Sequence, residues 1–212
     1  MPTEPVSIAQ TIVYGVAFYP KNSERVARMD LNELFASVGR LFDLLEERGV
    51  EYVLAGGIAM RAYVEGRNTQ DIDLVMSSAD LARLPELRVE EQNEQFAQAW
   101  FDEVRVDLLL ADAQPFRTVR EKFATQRDFV GRKVRIATPE GLLLMKLYAL
   151  PSLYRQAQFG KVRIYEGDVA DLLDASVEVS QAVWQTLGAV LLESDLSELR
   201  RIVDEIRQNR DD

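Results

Sequence analysis

Two aspartates separated by a single residue, Asp71 and Asp73, are the first candidates for chemistry in this sequence. They begin an apolar run over residues 71–76 that predicts a β-strand, and side chains two positions apart in a strand point to the same face. Two carboxylates held side by side repel each other unless a cation lies between them. Because oxygen ligands favour a hard ion, the pair predicts a Mg²⁺ or Mn²⁺ site. The alternative is a pair of aspartates at an exposed strand edge.

Two consecutive glycines, Gly56 and Gly57, precede this pair. They follow a short predicted strand over residues 51–55 and open a predicted helix that closes at Gly66. Glycines between a strand and a helix let the backbone approach a ligand closely and offer free N–H groups to an anion. Thirteen residues separate Gly57 from Asp71, enough for one helix and a return into a neighbouring strand. The spacing predicts an anion-binding turn beside the carboxylates, or else a tight turn that only requires small residues.

A third carboxylate, Asp107, lies within the β-prone run over residues 104–111. Burying an unpaired aspartate is costly, so Asp107 is expected either at the end of its strand or facing a cation. Three carboxylates together would suit two divalent ions that share a nucleoside triphosphate.

Three further charged residues lie in predicted helices. Lys146 belongs to a helix over residues 138–150, which begins with the cap sequence Thr-Pro-Glu and ends at the following proline. Its neighbours three and four positions away are apolar, so the lysine either extends its amine to solvent or meets an anion. Asp168 and Asp171 share a face of a helix predicted over residues 166–175. Acids in a first turn also interact favourably with the helix dipole, which is the alternative for both aspartates.

The composition excludes several classes of active site. The 212 residues contain no cysteine and no histidine. Disulfides, zinc–thiolate sites, thiol nucleophiles, Ser-His-Asp hydrolysis and imidazole metal ligands are therefore excluded. Any chemistry must use carboxylates, lysine, hydroxyls and backbone groups. With 47% hydrophobic and 28% charged residues, the chain has the composition of a folded globular protein.

Together these residues resemble a known superfamily. An apolar segment, Gly56-Gly57, thirteen residues, an Asp-apolar-Asp pair and a later strand aspartate are similar to the nucleotidyltransferases typified by DNA polymerase beta. The wider pattern, Arg67-Asn-Thr-Gln-Asp-Ile-Asp73 followed by Thr138-Pro139-Glu140 and Lys146, resembles the AbiEii-like branch of abortive-infection toxins. The resemblance covers residues 34–173. It implies an α+β fold with a polymerase-beta-like mixed sheet, flanking helices and a C-terminal helical portion.

The resemblance also implies a role for each candidate residue. Asp71, Asp73 and Asp107 would bind the metal ions and, with Lys146 and Asp168, would be the catalytic residues. Lys146 would contact the phosphates of the NTP substrate, and Asp168 would be the functional aspartate that follows the lysine. The branch usually has Lys-Asp where this chain has Gly-Asp. The nucleotide-binding residues would be Gly56, Gly57, Arg67, Thr69 and Lys146. Many members have serine in place of Gly57, so this chain lacks one hydroxyl contact to a phosphate.

The net charge of −10 is unevenly distributed. Between Phe116 and Tyr165, eleven basic residues against three acidic ones give a net charge of +8. This stretch predicts either a solvated face or a surface for a polyanion such as a triphosphate or RNA. With the AbiEii-like resemblance, it favours transfer of NMP to tRNA or another RNA by a toxin that a separate antitoxin protein restrains. The alternatives are a small-molecule transferase, such as one acting on aminoglycosides, and a nucleotide-binding regulatory module with little turnover.

The chain divides into three predicted parts. Residues 1–29 form an N-terminal arm or edge element that includes a β-prone segment over 11–19, residues 30–137 form the α/β nucleotidyltransferase core, and residues 138–212 form a helical region. The other predicted elements are a helix over 31–45 capped by Asp30, a helix over 79–84 capped by Ser78, strands over 96–101 and 133–137, and helices over 115–125, 177–192 and 195–208. No signal peptide and no apolar run near the ~20 residues needed to span a bilayer occurs. We therefore expect a soluble, cytoplasmic protein without a membrane partner.

Overall fold

One mixed β-sheet organises the protein. The computed structural model describes residues 10, 31–64, 69–129, 132–175 and 178–208. Within these residues the strands are β1 (Tyr52–Leu54), β2 (Asp71–Met76), β3 (Arg88–Gln92), β4 (Phe96–Phe101), β5 (Val104–Leu110), β6 (Ala124–Phe129) and β7 (Arg132–Ala137). They form one sheet in the order β3-β4-β5-β2-β1-β7-β6. The β2–β5 and β1–β7 pairs are parallel and the other four pairs are antiparallel. The predicted α+β class with a mixed sheet is confirmed.

Eight helices of the described residues flank the sheet and extend beyond it. They are α1 (Leu31–Glu47), α2 (Gly56–Met60), α3 (Ser78–Leu81), α4 (Phe116–Lys122), α5 (Pro139–Arg155), α6 (Phe159–Asp174), α7 (Gln181–Gly188) and α8 (Glu193–Gln208). Helix α5 contacts α2, α4, α6, α7, α8 and β7. It therefore joins the sheet to the C-terminal helices, and one hydrophobic core cluster includes side chains from α1 to α8.

Strand β2 lies in the middle of the sheet, between β1 and β5. Its side chains alternate between the two faces, and Ile72 and Leu74 are fully buried. Asp71 and Asp73 therefore lie on the opposite face. Because β2 is a central strand, the alternative of an aspartate pair at an exposed sheet edge is excluded.

Two helices are longer than predicted. Helix α5 continues through Pro151 to Arg155 instead of ending at residue 150. A proline inside a helix removes one hydrogen bond and crowds the preceding turn. Here Pro151 is buried among neighbouring helices, and this packing keeps the segment helical. Helix α6 begins at Phe159 rather than at residue 166, so Asp168 lies in its second half and not in its first turn.

Two strands were missed, because neither has the alternation that predicts a strand. All five side chains of β3 are exposed, and its pairing with β4 shifts register between Val89 and Glu91. Strand β6 begins at Ala124, inside the predicted helix over 115–125. Helix α4 ends at Lys122 because the backbone of Phe123 leaves the helical region, and the chain then pairs with β7.

Other boundaries differ by a few residues. Ser77, not Ser78, caps α3, and its hydroxyl accepts from the Asp80 N–H. The helix predicted over 177–192 is α7, which ends at Gly188. The predicted Asp30 cap and the segment over 11–19 lie outside the described residues, so the division at residues 30 and 137 stays a prediction. In the part of the chain that the structure describes, no helix is long and apolar enough to cross a membrane.

We predict that Gly141→Ala destabilises the fold. Gly141 lies in the first turn of α5, and a Cβ there would lie 2.9 Å from the Cβ and carbonyl oxygen of Phe123. Overpacking of this kind costs about 1–3 kcal/mol, which outweighs the gain of about 1 kcal/mol from replacing a helical glycine. Urea unfolding should show a lower free energy of unfolding. Gly167→Ala is the matched control, since a Cβ in the exposed middle of α6 meets nothing within 4 Å. This control should be stabilised, and equal gains in both variants would contradict the packing argument.

Candidate active site

Three carboxylates lie on one face of the central strands. In the parallel β2–β5 pair, Asp73 is directly opposite Asp107, and Asp71 is opposite Arg105. Asp107 is the fourth of seven residues in β5, and its neighbours Val106 and Leu108 are buried on the other face. The structure therefore brings the three predicted aspartates together, and the alternative of a strand-end position for Asp107 is wrong. We call Asp71, Asp73 and Asp107 the carboxylate triad.

The double glycine packs directly against Asp73. Gly56 has a φ of +57°, a conformation that favours glycine. A Cβ at Gly56 would overlap the Asp73 carboxyl group, so that carboxyl group lies against the glycine backbone. The Gly57 N–H donates a hydrogen bond to the Asp73 carboxylate. The Ala55 N–H donates to the Asp73 carbonyl at 2.9 Å, which joins the end of β1 to β2. The glycine turn therefore brings the backbone close to a carboxylate. The group that its backbone contacts in this structure is the side chain of Asp73.

Thr69 fills the space beside Gly57. A Cβ at Gly57 would lie 2.6 Å from the Thr69 Cβ and 2.9 Å from its Oγ1. The Thr69 hydroxyl donates to Asp71 Oδ1 at 2.7 Å and so orients that carboxylate. A serine at position 57 would collide with this threonine, which gives a local reason for the glycine. The other predicted nucleotide-binding residue of this segment, Arg67, lies outside the described residues.

The triad holds excess negative charge. Burial and then the neighbouring Asp71 raise the pKa of Asp73 to about 8, Lys146 acts in the opposite direction, and Asp107 raises it further. Burial also raises the pKa of Asp107, although Arg105 opposes this shift. A nearby cation stabilises the ionised form of such carboxylates and lowers their pKa. The donor set, three carboxylates without nitrogen or sulfur, fits Mg²⁺ or Mn²⁺.

Arg105 was not predicted as a site residue. Its Nε and Nη2 atoms lie 3.0 Å from Oδ1 and 3.1 Å from Oδ2 of Asp107. Both carboxylate oxygens are thus bound by one guanidinium. Among the described residues, no three acidic side chains are already arranged as the ligands of one metal ion. Two residues on one strand with one residue between them share a face, and this spacing was the signal in the sequence.

Lys146 and Asp168 form a buried ion pair. Lys146 is 7% exposed and Asp168 is 3% exposed, and Nζ lies 2.7 Å from Oδ2. The same Nζ lies 4.0 Å from the centre of the Tyr165 ring, whose hydroxyl has a raised pKa because of burial and then the Asp73 charge. The lysine therefore meets an anion and does not extend to solvent. Asp171, one turn further along α6, is exposed, so of these two aspartates Asp168 is the one buried beside Lys146.

A cavity of about 820 Å³ opens beside the triad, and Asp73 and Asp107 lie in one wall. Strands β4 and β5, the end of α5, the start of α6 and residues 189–192 enclose it. Its other polar side chains are mainly neutral, namely Gln95, Gln98, Tyr148, Ser152, Gln156 and Gln158. Arg155 also lines the cavity, where its Nη1 atom lies 2.9 and 3.0 Å from the two carboxylate oxygens of Asp195. The cavity can therefore hold a small molecule in contact with the triad.

Comparison with known proteins gives distant structural similarity. No protein-family profile and no curated protein matches the sequence. An antigenic nucleotidyltransferase-like protein from Paracoccidioides brasiliensis is 19% identical, with a TM-score of 0.49 over 78% of this chain and 90% of that chain. ANT(2")-Ia, in complex with adenylyl-2"-tobramycin, is 16% identical, with a TM-score of 0.47 over 82% and 96%. The lincomycin-bound lincosamide antibiotic adenylyltransferase LnuA is 17% identical, with a TM-score of 0.41 over 51% and 83%.

Identities below 20% with TM-scores below 0.5 assign neither a family nor an activity to this chain.

We predict that Asp73 makes the metal-free protein progressively less stable as the pH rises from about 4 to about 8. The pKa of Asp73 is about 8 in the fold and about 3.9 in an unfolded chain. Between these values the folded state holds a proton that the unfolded state has released, so rising pH favours unfolding. Asp73→Asn removes the titrating carboxyl group and, with it, this loss of stability at high pH. Thermal unfolding in EDTA should give the variant a melting temperature at least about 3 °C above that of the unmodified protein at pH 8.5.

The difference should shrink towards pH 4. Asp128→Asn, at an exposed position of β6, is the matched control and should follow the unmodified protein at every pH. A pH profile of Asp73→Asn that runs parallel to that of the unmodified protein would contradict the assignment of the charge to Asp73.

Proposed function

We propose that the protein is a metal-dependent nucleotidyltransferase, which transfers NMP from an NTP to an acceptor hydroxyl and releases pyrophosphate. The observation that carries the proposal is the carboxylate triad. Asp73 and Asp107 are in register on central strands, Asp71 shares their face, and the double-glycine turn contacts Asp73. Asp73 and Asp107 also form part of the wall of a cavity of about 820 Å³. Acidic residues concentrated in this way are expected where divalent cations and phosphates must be bound together.

Asp71 and Asp73 would hold Mg²⁺ or Mn²⁺ together with the triphosphate, and Asp107 would complete the set. A bound ion would supply charge neutralisation at the phosphates. Asp107, with its raised pKa, is suited to accept the proton of the attacking hydroxyl. In the reaction, the acceptor oxygen forms a bond to the α-phosphorus, and the bond from that phosphorus to the bridging oxygen breaks. The electron pair leaves with pyrophosphate.

The other site residues would orient the nucleotide. The backbone of the Gly56–Gly57 turn would approach the phosphates, as the sequence pattern predicts. Asp73 and Thr69 already pack against these glycines, and Thr69 keeps Asp71 in place. Arg67 is proposed here from the sequence pattern alone. Lys146 would reduce the negative charge of the leaving phosphates, and its charge already acts on Asp73. Its pairing with Asp168 fixes the position of the ammonium group.

The cavity favours a small-molecule acceptor over RNA. Its volume of about 820 Å³ lies within the range of roughly 300–1,000 Å³ that is typical of small-molecule sites. Several basic residues of the stretch that suggested RNA are already paired with acids from elsewhere in the chain: Arg120 with Glu51 and Asp80, Arg132 with Asp43 and Glu46, Lys146 with Asp168, and Arg155 with Asp195. Strands β6 and β7, which carry three others, lie on the far side of β1 from the triad. A tRNA acceptor with an antitoxin partner is thus the weaker alternative.

Labelled NTPs test the proposal. Each labelled NTP is incubated with Mg²⁺, the protein and separated cellular fractions. We expect at least one of the NTPs to transfer label into the small-molecule fraction. Label on tRNA would overturn the small-molecule acceptor and support the RNA alternative. Calorimetric binding of an NTP with Mg²⁺ but without transfer to any fraction would support the regulatory module.

Asp71→Asn is expected to reduce transfer by at least about a hundredfold while leaving the melting profile cooperative, since it removes a metal ligand without changing the shape of the side chain. Pyrophosphate release measures the effect. Asp128→Asn is the control and should keep full activity. Unchanged turnover in Asp71→Asn would reject the metal-binding role of the triad.

A further inference from the structure

The guanidinium group of Arg105 already binds one carboxylate of the triad. Arg105 lies two residues before Asp107 on β5 and opposite Asp71 in the register with β2. Its guanidinium binds both oxygens of Asp107, at 3.0 and 3.1 Å. Paired N–H···O bonds between an arginine and a carboxylate are among the strong polar contacts in proteins. A metal ion that used the same lone pairs of Asp107 would therefore have to displace Arg105.

The influence of Arg105 extends over the whole triad. Burial acts against its charged form, but the hydrogen bond to Asp107 and the charges of Asp107, Asp71 and Asp73 together raise the pKa of Arg105. The arginine side chain is also 39% exposed. It can leave Asp107 without crossing the packed core, and a triphosphate would offer it another planar array of oxygen acceptors.

We propose that Arg105 is a counter-cation that competes with the divalent metal for Asp107 and moves to the triphosphate when an NTP binds. Metal and nucleotide then bind cooperatively, because the nucleotide releases Asp107 for the metal. By linkage, the metal must strengthen nucleotide binding by the same factor. This inference rests on the proposed function, since it requires the triad to bind a metal ion.

Binding of Mn²⁺ alone tests the competition. Titration of the full chain, followed by electron paramagnetic resonance of free Mn²⁺, should show that Arg105→Gln binds Mn²⁺ at least tenfold more tightly than the unmodified protein. A non-hydrolysable ATP analogue should tighten Mn²⁺ binding less in Arg105→Gln than in the unmodified protein. Arg105→Lys keeps the charge but loses the two-point contact, and it should be intermediate.

Lys161→Gln is the matched control for charge. Lys161 lowers the pKa of Asp107 through its charge, so this variant loses a nearby positive charge while the Arg105–Asp107 contact remains. It should tighten Mn²⁺ binding less than threefold. An equal gain in Lys161→Gln and Arg105→Gln would overturn the competition and leave a general charge effect in its place.

The outcomes separate this inference from the proposed function. If Asp71→Asn loses Mn²⁺ binding but Arg105→Gln binds Mn²⁺ no more tightly than the unmodified protein, the role of Arg105 is overturned and the metal site stands. If the unmodified protein binds no Mn²⁺ even with the ATP analogue, both proposals fail. Should Arg105→Gln not fold, Arg105→Lys decides alone, and Mn²⁺ affinity equal to that of the unmodified protein overturns the inference.

Discussion

Repulsion among three carboxylates in the middle of a β-sheet is the constraint to which the rest of this site responds. The register between β2 and β5 fixes Asp73 opposite Asp107, and the strand period adds Asp71 to the same face. No rotation of a side chain can move these charges to the other face, because Ile72 and Val106 fill that face with the core. The negative charge of the aspartates must therefore be offset by groups on the face of the sheet that carries them.

Each carboxylate is met by a different group of the chain. Asp71 accepts from the Thr69 hydroxyl, Asp73 from a backbone N–H in the glycine turn, and Asp107 from the Arg105 guanidinium. Lys146 contributes a positive charge from α5, and the Asp168 carboxylate on α6 pairs with it. These contacts offset part of the repulsion among the three carboxylates. At Asp73 they do not outweigh burial and the charge of Asp71, so its pKa stays raised. A site of this kind has capacity for an added cation.

The sequence predicted the carboxylates but not all of their partners. The strands that carry Asp73 and Asp107 have strong apolar patterns, and the short spacing from the glycines indicated that the turn and the aspartates meet. Arg105 shared the informative spacing but was not interpreted as a partner of Asp107. The pairing of Lys146 with Asp168 joins two helices and depends on how α6 packs on α5, which no local pattern encodes. For the same reason the extension of α5 past Pro151 follows from packing and not from propensity.

The Lys146–Asp168 pair makes the C-terminal helices part of the site. A lysine that is 7% exposed needs its anion, and that anion comes from α6. Chimeras that import foreign C-terminal helices must therefore retain an acid at the position of Asp168. Residues 189–192 lie on the cavity wall outside this pair. Substitutions there can change the shape of the cavity without disturbing the buried charges.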